Sequence, residues 1–314
     1  MHKPVLLQEV IDALRPRAGG DYIDATVGAG GHTAAILTAS APDGRVYGFD
    51  RDREALDVSR IQLDAFGDRV HLLHANFDQL AIMASRYHLP RVDGLLLDLG
   101  VSSMQLDRAG RGFSFQLEGP IDMRMDPIVG QPAATLVNQL PEKELADLIY
   151  TYGEEPHSRR IARAIVRVRP LQRTTDLAKV VAKAVPARPG RRRGVKGRKK
   201  IHPATRTFQA LRIAVNDELG ALERVLPQAL DQLRPGGRLA VISFNSLEDR
   251  IVKKYFKRES QDCICPPEHP ICTCEHKATI NIITKKPITP SGAEISENPK
   301  ARSAKLRVVE LREG

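Results

Sequence analysis

Short, continuously apolar runs alternate with helix-patterned segments along this chain, and this alternation limits the fold more than any other feature. Because the runs are continuous rather than alternating with polar residues, they are typical of strands buried on both faces of a parallel sheet. The runs occupy residues 22–26, 44–50, 70–75, 92–98 and 238–244, with two closing strands at 278–284 and 305–311. The pattern predicts an α/β fold.

The strand pattern stops in the middle of the chain. Residues 106–206 have helical apolar spacing and contain no sheet-like run. We therefore predict one discontinuous α/β domain, formed by residues 1–105 and 207–314, which is interrupted by a helical insertion domain at 106–206.

The positive charge is concentrated in the insertion. The chain carries a net charge of +10, and residues 159–206 hold 17 Lys and Arg against one acid, Asp176. That segment alone carries +16, which leaves −6 for the rest of the chain. Such a block is either a solvated loop or a contact for a polyanion, and its internal position favours nucleic acid. The expected RNA-binding residues are Arg191, Arg192, Arg193, Lys196, Arg198, Lys199 and Lys200.

Composition excludes several other classes. No stretch approaches the run of about 18 apolar residues that a membrane span requires. The first residues contain no apolar core of the signal-peptide type, so we expect a cytoplasmic protein without a membrane partner. Six Tyr, eight Phe and no Trp argue against a binding surface built mainly on aromatic stacking.

A glycine-rich loop follows the first predicted strand. Gly28, Gly30 and Gly31 allow a sharp turn and close approach to a ligand, and Asp50 closes the next strand at a spacing suited to ribose hydroxyls. A dinucleotide loop places a third glycine where Thr33 stands here. The loop therefore favours S-adenosylmethionine (SAM) over a dinucleotide, and a tight turn without a ligand remains the structural alternative.

Three more residues are candidates for the same crevice. Asp98 ends the fourth strand, where the carboxyl ends of parallel strands face a ligand, although a helix-capping aspartate is also common there. Phe77 follows the third strand and packs either beside an adenine or in the core. Gln105 is placed to reach the cofactor from the opening of the insertion.

Several long motifs give the chain a family resemblance. They are DATVGAGGH at 24–32, DLGVSS at 98–103, RGFSF at 111–115, DMRMD at 122–126, SRRIA at 158–162, HPATRTFQALR at 202–212 and SLEDR at 246–250. With these motifs the chain resembles, over nearly its whole length, the bacterial small-subunit ribosomal RNA cytosine-N4 methyltransferases, also called the MraW family. Asn245 and His157 depart from the residues that are usual in that family.

The resemblance implies a Rossmann-like SAM-dependent methyltransferase sheet with a helical insertion. It implies methylation of the exocyclic N4 of one cytidine in the decoding region of small-subunit (16S) ribosomal RNA. It also implies a SAM site made of Gly30, Gly31, His32, Asp50, Phe77, Asp98 and Gln105. The partner would be the RNA or the small ribosomal subunit, and a homodimer stays open.

Methyl transfer from a sulfonium is an in-line displacement, so the protein acts mainly by positioning the reactants. We expect Asp98 to accept a hydrogen bond from the poorly nucleophilic cytosine N4, and to accept its proton; a pure cofactor contact is the alternative. Asn245 and Ser246, after the fifth strand, are the candidates for reading the base edge. The target base must be single-stranded or flipped out to enter the crevice.

The four cysteines form a C-x-C-x6-C-x-C pattern at Cys263, Cys265, Cys272 and Cys274. Four thiolates suit a structural zinc ion, although C-x-C is tighter than the usual C-x2-C spacing. A cluster of reduced thiols and a pair of disulfides are the alternatives.

Two other functions remain open from the sequence. A nicotinamide-dependent oxidoreductase would use the same glycine loop, and a non-catalytic RNA-binding or ribosome-assembly factor would retain the fold without the chemistry. A binding assay with SAM and with a nicotinamide dinucleotide distinguishes the methyltransferase from the oxidoreductase. Incorporation of methyl groups into small ribosomal subunits would exclude the non-catalytic factor.

Overall fold

A computed structural model describes residues 4–186, 202–266 and 272–313. The strands are β1 (Asp21–Asp24), β2 (Arg45–Asp50), β3 (Val70–His74), β4 (Val92–Asp98), β5 (Leu233–Ser243), β6 (Ile280–Ile282) and β7 (Lys305–Leu311). The helices are α1 (Leu7–Leu14), α2 (Gly31–Ala39), α3 (Arg53–Leu63), α4 (Leu80–Arg86), α5 (Ser103–Asp107), α6 (Ala133–Gln139), α7 (Glu142–Gly153), α8 (Ser158–Val168), α9 (Thr174–Ala184), α10 (Ala204–Asn216), α11 (Glu218–Gln232), α12 (Ser246–Glu259) and α13 (Gly292–Glu297). Within these ranges, none of the helices combines the length and the apolar character needed to cross a lipid bilayer.

The seven strands form one sheet in the order β3-β2-β1-β4-β5-β7-β6. Strands β1 to β5 are parallel, whereas β7 runs antiparallel to both β5 and β6. Strands β2 and β3 follow one another on one side of β1, and β4 lies on the other side of β1. This reversal creates a switch point, where ligands of open α/β sheets bind beyond the carboxyl ends of the strands.

Both faces of the sheet are buried, which is why the strand sequences are continuously apolar. On one face, Leu95 and Val241 pack in a hydrophobic cluster with Leu226 of α11. On the other face, Leu96 packs in a second cluster that contains Ile36 of α2. The predicted α/β fold, with its two closing strands, is confirmed.

The chain divides into two compact units. The first comprises residues 1–100 and 219–314, and contains the sheet. The second comprises residues 101–218, and its core is formed by helices, with Ile149, Ile161 and Leu211 fully buried. The sequence predicts an insertion domain at 106–206, and that this segment is a separate functional domain stays a prediction.

Two predicted elements differ in the structure. The sequence pattern predicts one helix over residues 208–230, but Asp217 adopts a left-handed conformation with φ of 48° and separates α10 from α11. The pattern also predicts a turn at 233–237 before the fifth strand. β5 begins earlier than predicted, at Leu233, which pairs with Val92, and the turn lies in the shift of register before Arg238 pairs with Gly94, where Gly236 has φ of 77°.

Candidate functional site

The glycine loop between β1 and α2 is fixed by a buried carboxylate. Asp24 is completely buried at the end of β1, and burial raises the pKa of its carboxyl group. Its Oδ1 accepts a hydrogen bond from the Thr26 amide at 3.1 Å, and its Oδ2 accepts one from the Thr33 hydroxyl at 2.7 Å. Thr33, which replaces the third glycine of a dinucleotide loop, therefore ties the first turn of α2 to the end of β1.

The glycines of this loop are required for different reasons. Gly28 and Gly30 have φ values of 55° and 89°, which side chains rarely adopt. A Cβ atom at Gly28 would meet nothing within 4 Å, so the loop leaves open space there, whereas at Gly30 it would lie 3.1 Å from Leu63. At Gly31 a Cβ atom would collide with the ring of Pro4. Of these three glycines, only Gly28 has open space in the direction of a Cβ atom, and the contacts of Gly30 and Gly31 with SAM stay predictions.

Asp50 stands at the end of β2 with both oxygens oriented by backbone amides. Oδ1 accepts from the Asp52 amide and Oδ2 from the Gly28 amide, each at 2.8 Å. Burial raises the pKa of Asp50 to about 6, although these two amides act in the opposite direction. The two hydrogen bonds thus hold the side chain beside the glycine loop, and its contact with a ribose stays a prediction.

Asp98, at the end of β4, forms an ion pair within the same crevice. Its backbone amide donates to the Thr26 hydroxyl at 2.7 Å, which links β4 to the glycine loop. Its Oδ2 lies 3.5 Å from Nε2 of His32, a side chain that is almost fully buried. Burial alone would lower the pKa of His32, but the nearby carboxylate of Asp98, together with that of Asp24, raises it. The imidazole is therefore stabilised in its charged form.

The other carboxylate oxygen of Asp98, Oδ1, has no such ion-pair partner among the described residues. Oδ1 is buried and makes no hydrogen bond to any residue in the described ranges. An unpaired buried carboxylate oxygen is unfavourable, so its presence at the carboxyl end of a parallel strand indicates a hydrogen-bond donor supplied by a ligand.

Phe77 and Gln105, the other two predicted cofactor residues, both make contacts within the protein. Phe77 lies in a 3-10 turn after β3 and is partly buried against the core cluster of the sheet. Gln105 belongs to the second unit, where it closes a capping box with Ser102 at the start of α5. Their contacts with a cofactor stay predictions.

Asn245 precedes α12 and Ser246 is its first residue, shortly after the end of β5. Oδ1 of Asn245 accepts hydrogen bonds from the amides of Leu247 and Glu248, both at 3.0 Å, and the Glu248 side chain accepts in return from Asn245. Asn245 is therefore a helix cap, a role that the Asn-x-x-Glu spacing indicates and that our sequence reasoning missed. Its Nδ2 is buried and unpaired among the described residues, whereas Ser246 is exposed.

The RNA-binding residues expected at 191–200 lie outside the described residues. The neighbouring helix α8 is described, and it carries an exposed row of arginines at four-residue spacing, Arg159, Arg163 and Arg167. Arg163 pairs with Glu142 at 3.2 Å. We call these three residues the α8 arginine row; our sequence reasoning counted their charge but did not single them out.

The four cysteines converge in the first unit. Cys263 and Cys265 follow α12, and Cys272 and Cys274 precede β6. All four Sγ atoms lie within 4.8 Å of one another.

The fold and the crevice together define the class. A dinucleotide-binding sheet has the order 3-2-1-4-5-6 with parallel strands. Here the antiparallel β7 lies between β5 and β6, and acidic side chains end β1, β2 and β4 around the glycine loop. The chain is a Rossmann-like, SAM-dependent methyltransferase.

Comparison with known proteins identifies the family. The model of the MraW methylase family matches residues 1–312, and the chain belongs to that family. The ribosomal RNA small subunit methyltransferase H of Heliobacterium mobile is 52% identical over 313 residues, which cover 98% of each chain. The protein of the same name from Thermomicrobium roseum is 51% identical over 312 residues, covering 98% of this chain and 93% of the relative. A solved rRNA methylase from Streptococcus thermophilus is 12% identical, with a TM-score of 0.42 over 100% of this chain and 99% of that one.

Proposed function

We propose that this protein transfers the methyl group of SAM to the exocyclic N4 of a cytidine in small-subunit ribosomal RNA. The observation that carries the proposal is the unpaired, buried Oδ1 of Asp98 at the carboxyl end of β4. The names of the relatives, which are about 50% identical to the chain, support ribosomal RNA of the small subunit as the substrate.

The residues around the glycine loop suit the proposed cofactor. Asp50 offers two oriented oxygens to the ribose hydroxyls, and the open space at Gly28 admits the rest of the ligand close to the backbone. Gly30 and Gly31 shape the turn into α2, and Phe77 is the candidate contact for the adenine. When bound, SAM supplies an electrophilic methyl group on a positively charged sulfur.

Asp98 is the candidate for orienting the nucleophile. Because His32 engages Oδ2, Oδ1 is the oxygen left to accept a hydrogen bond from the N4 amino group. As the new bond between N4 and the methyl carbon forms, the bond between sulfur and that carbon breaks, and N4 loses a proton. Asp98 accepts that proton or passes it to water, so His32 is a positioning residue that fixes the carboxylate.

Asn245 is the candidate for recognising the cytosine edge. Its Oδ1 is committed to capping α12, but the buried Nδ2 donor is unpaired and matches the O2 or N3 acceptors of the base. Ser246, exposed at the first position of the helix, is the second candidate. Because a base stacked in a duplex cannot bring its N4 to the end of β4, we expect the target nucleotide to be unpaired or flipped out.

We assign the phosphate contacts to the basic insertion. The exposed α8 arginine row presents charges at a regular spacing along one helix face, which suits contacts to an RNA backbone but does not read its sequence. Arg191, Arg192 and Arg193, with the lysines and arginine at 196–200, extend the same charge in sequence.

A methylation assay tests the proposal. Small subunits from cells that lack the gene are incubated with the protein and isotope-labelled SAM, and the RNA is digested to nucleosides for mass spectrometry. We expect label in N4-methylcytidine. Label in another nucleoside would refute the N4 assignment, and RNA binding without any label would favour a non-catalytic assembly factor.

The phosphate contacts are tested separately by salt dependence. Replacing Arg159, Arg163 and Arg167 with Gln should reduce the slope of log affinity against log salt by about 2, since each contact to single-stranded RNA contributes about 0.7. The control is Arg60→Gln on α3, an exposed arginine paired with Asp57 in the other unit. An unchanged slope in the triple variant would remove the α8 arginine row from the interface.

A further inference from the structure

A lobe between α12 and β6 carries all four cysteines of the chain, and methyl transfer gives them no role. The described parts of this lobe are residues 260–266 and 272–279. Nothing in the proposed reaction requires a thiol, and Asp50 and Asp98 lie on other strand ends of the sheet. The lobe therefore calls for an explanation of its own.

The arrangement of the sulfur atoms fits a single shared ion. Sγ of Cys274 lies 3.6 Å from that of Cys272 and 3.9 Å from that of Cys263, and all four sulfurs lie within 4.8 Å of one another. Four thiolates at about 2.3 Å from a tetrahedral zinc ion are about 3.8 Å apart, so closing the set requires shifts of at most about 1 Å. A disulfide would require about 2.05 Å between two sulfurs.

The backbone amides around the cysteines are a second, independent indication of a metal site. The two C-x-C arms are arranged reciprocally, because the residue between the cysteines of each arm donates its amide to a sulfur of the other arm. The Ile264 amide donates to Cys274 at 3.4 Å, and the Thr273 amide donates to Cys265 at 3.5 Å. Amide donors stabilise the negative charge of a thiolate and fix its direction, as second-shell contacts do for metal ligands.

The lobe is also anchored to the methyltransferase sheet on either side. The Thr279 amide donates to the carbonyl oxygen of Glu259 at the end of α12, at 2.8 Å. The ring of His276 lies 3.0 Å from the carbonyl oxygen of Arg258, so this histidine is engaged by the backbone. An ion held by the four sulfurs would thus fasten the end of α12 to the beginning of β6.

We propose that Cys263, Cys265, Cys272 and Cys274 bind one structural zinc ion that stabilises this lobe. Four thiolates leave no open coordination position, so the ion does not bind substrate. Iron is the other ion that a tetrahedral set of four sulfurs accepts. Thiolates on separate irons of a cluster would lie farther apart than these sulfurs do.

Metal content of the full-length protein tests the proposal. We expect about one zinc per chain by elemental mass spectrometry, and loss of most of it in Cys263→Ser and in Cys274→Ser. Lys277→Ala is the matched control and should keep its zinc, because this exposed side chain belongs to the lobe but lies outside the two C-x-C arms. His276→Ala distinguishes a site of four thiolates from a site of three thiolates and one histidine. We expect this variant to keep its zinc, because His276 is engaged by the backbone.

Cobalt substitution keeps the test valid if a cysteine variant fails to fold. After removal of zinc under reducing conditions, Co²⁺ should give the intense absorption of a tetrahedral thiolate site in the wild-type protein. Iron instead of zinc, zinc loss only in His276→Ala, or a lack of both zinc and the cobalt spectrum would overturn the proposal. So would disulfides, detected as fewer than four free thiols in the denatured, metal-free chain.

Discussion

Replacing Asp98 with Asn tests the centre of the proposed mechanism. The substitution preserves the shape of the side chain but removes its charge and its ability to accept a proton. The side chain is about one-quarter exposed and its Oδ1 has no partner among the described residues, so the change affects only the contact with His32. The hydrogen bond from the backbone amide of residue 98 to the Thr26 hydroxyl is kept. We therefore expect the variant to fold.

The size of the expected effect follows from the role of the carboxylate. A positioned general base contributes about 10²–10⁴-fold to a rate, which corresponds to about 3–5 kcal/mol of activation free energy. We expect the single-turnover rate at saturating SAM to fall within that range. The dissociation constant for SAM should rise by less than about tenfold, because Asp50 and the glycine loop are unchanged.

The assay is a single-turnover reaction with prebound SAM, paired with calorimetry of SAM binding. Asp93→Asn is the matched control, since Asp93 lies near the opposite end of the same strand and pairs with Arg17 and Arg234. That variant should lose stability but keep the rate. A near-wild-type rate for Asp98→Asn at saturating SAM, with weakened SAM binding, would refute the chemical role and leave Asp98 as a cofactor contact.

Three further predictions concern the same crevice. Because Asp50 has a pKa of about 6 in the folded protein, SAM should bind about tenfold more weakly at pH 5 than above pH 7, and Asp50→Asn should abolish this dependence in calorimetry. The raised pKa means that protonation of Asp50 favours the folded state as the pH falls, so unfolding is not the expected cause. Gly30→Ala should destabilise the protein by about 1–2 kcal/mol in urea unfolding, since φ is 89° and Leu63 is close. Gly28→Ala carries a backbone cost of the same kind, since φ is 55°, but its methyl group should also weaken SAM binding in calorimetry, and equal SAM binding by the two variants would contradict this assignment. Asn245→Ala should cost about 1 kcal/mol through loss of the helix cap, while Asn245→Asp should keep the cap but lower kcat/KM for RNA, and unchanged kcat/KM would exclude Nδ2 from base recognition.

The sheet could be predicted because its strands are apolar on both faces. Leu95, Leu96 and Leu97 are consecutive and all buried, a pattern that neither an exposed strand nor an amphipathic helix would show. The glycine loop and Asp50 were likewise predictable, because their relation depends on spacing within one strand–helix–strand unit.

The contacts between distant residues could not be predicted in this way. His32 meets Asp98 only because the sheet places β4 beside β1, and no local pattern encodes that 3.5 Å contact. The break at Asp217 was missed because one aspartate in a left-handed conformation is a weak signal within a long run of helical apolar spacing. The Arg212–Glu218 ion pair, with contacts of 2.7 and 2.8 Å, spans that break.

The charges at the carboxyl edge of the sheet explain why this crevice suits a sulfonium rather than a dinucleotide. Asp24, Asp50 and Asp98 end three adjacent strands, and burial raises the pKa of the first two, so collecting these carboxylates costs free energy. The diphosphate of a dinucleotide would add negative charge beside them, whereas the positive sulfur of SAM offsets it. His32 and the oriented amides reduce the cost without filling the space at Gly28. The arrangement is therefore preorganised for a cationic ligand with a ribose, and the same field weakens the binding of the neutral product once the methyl group has left.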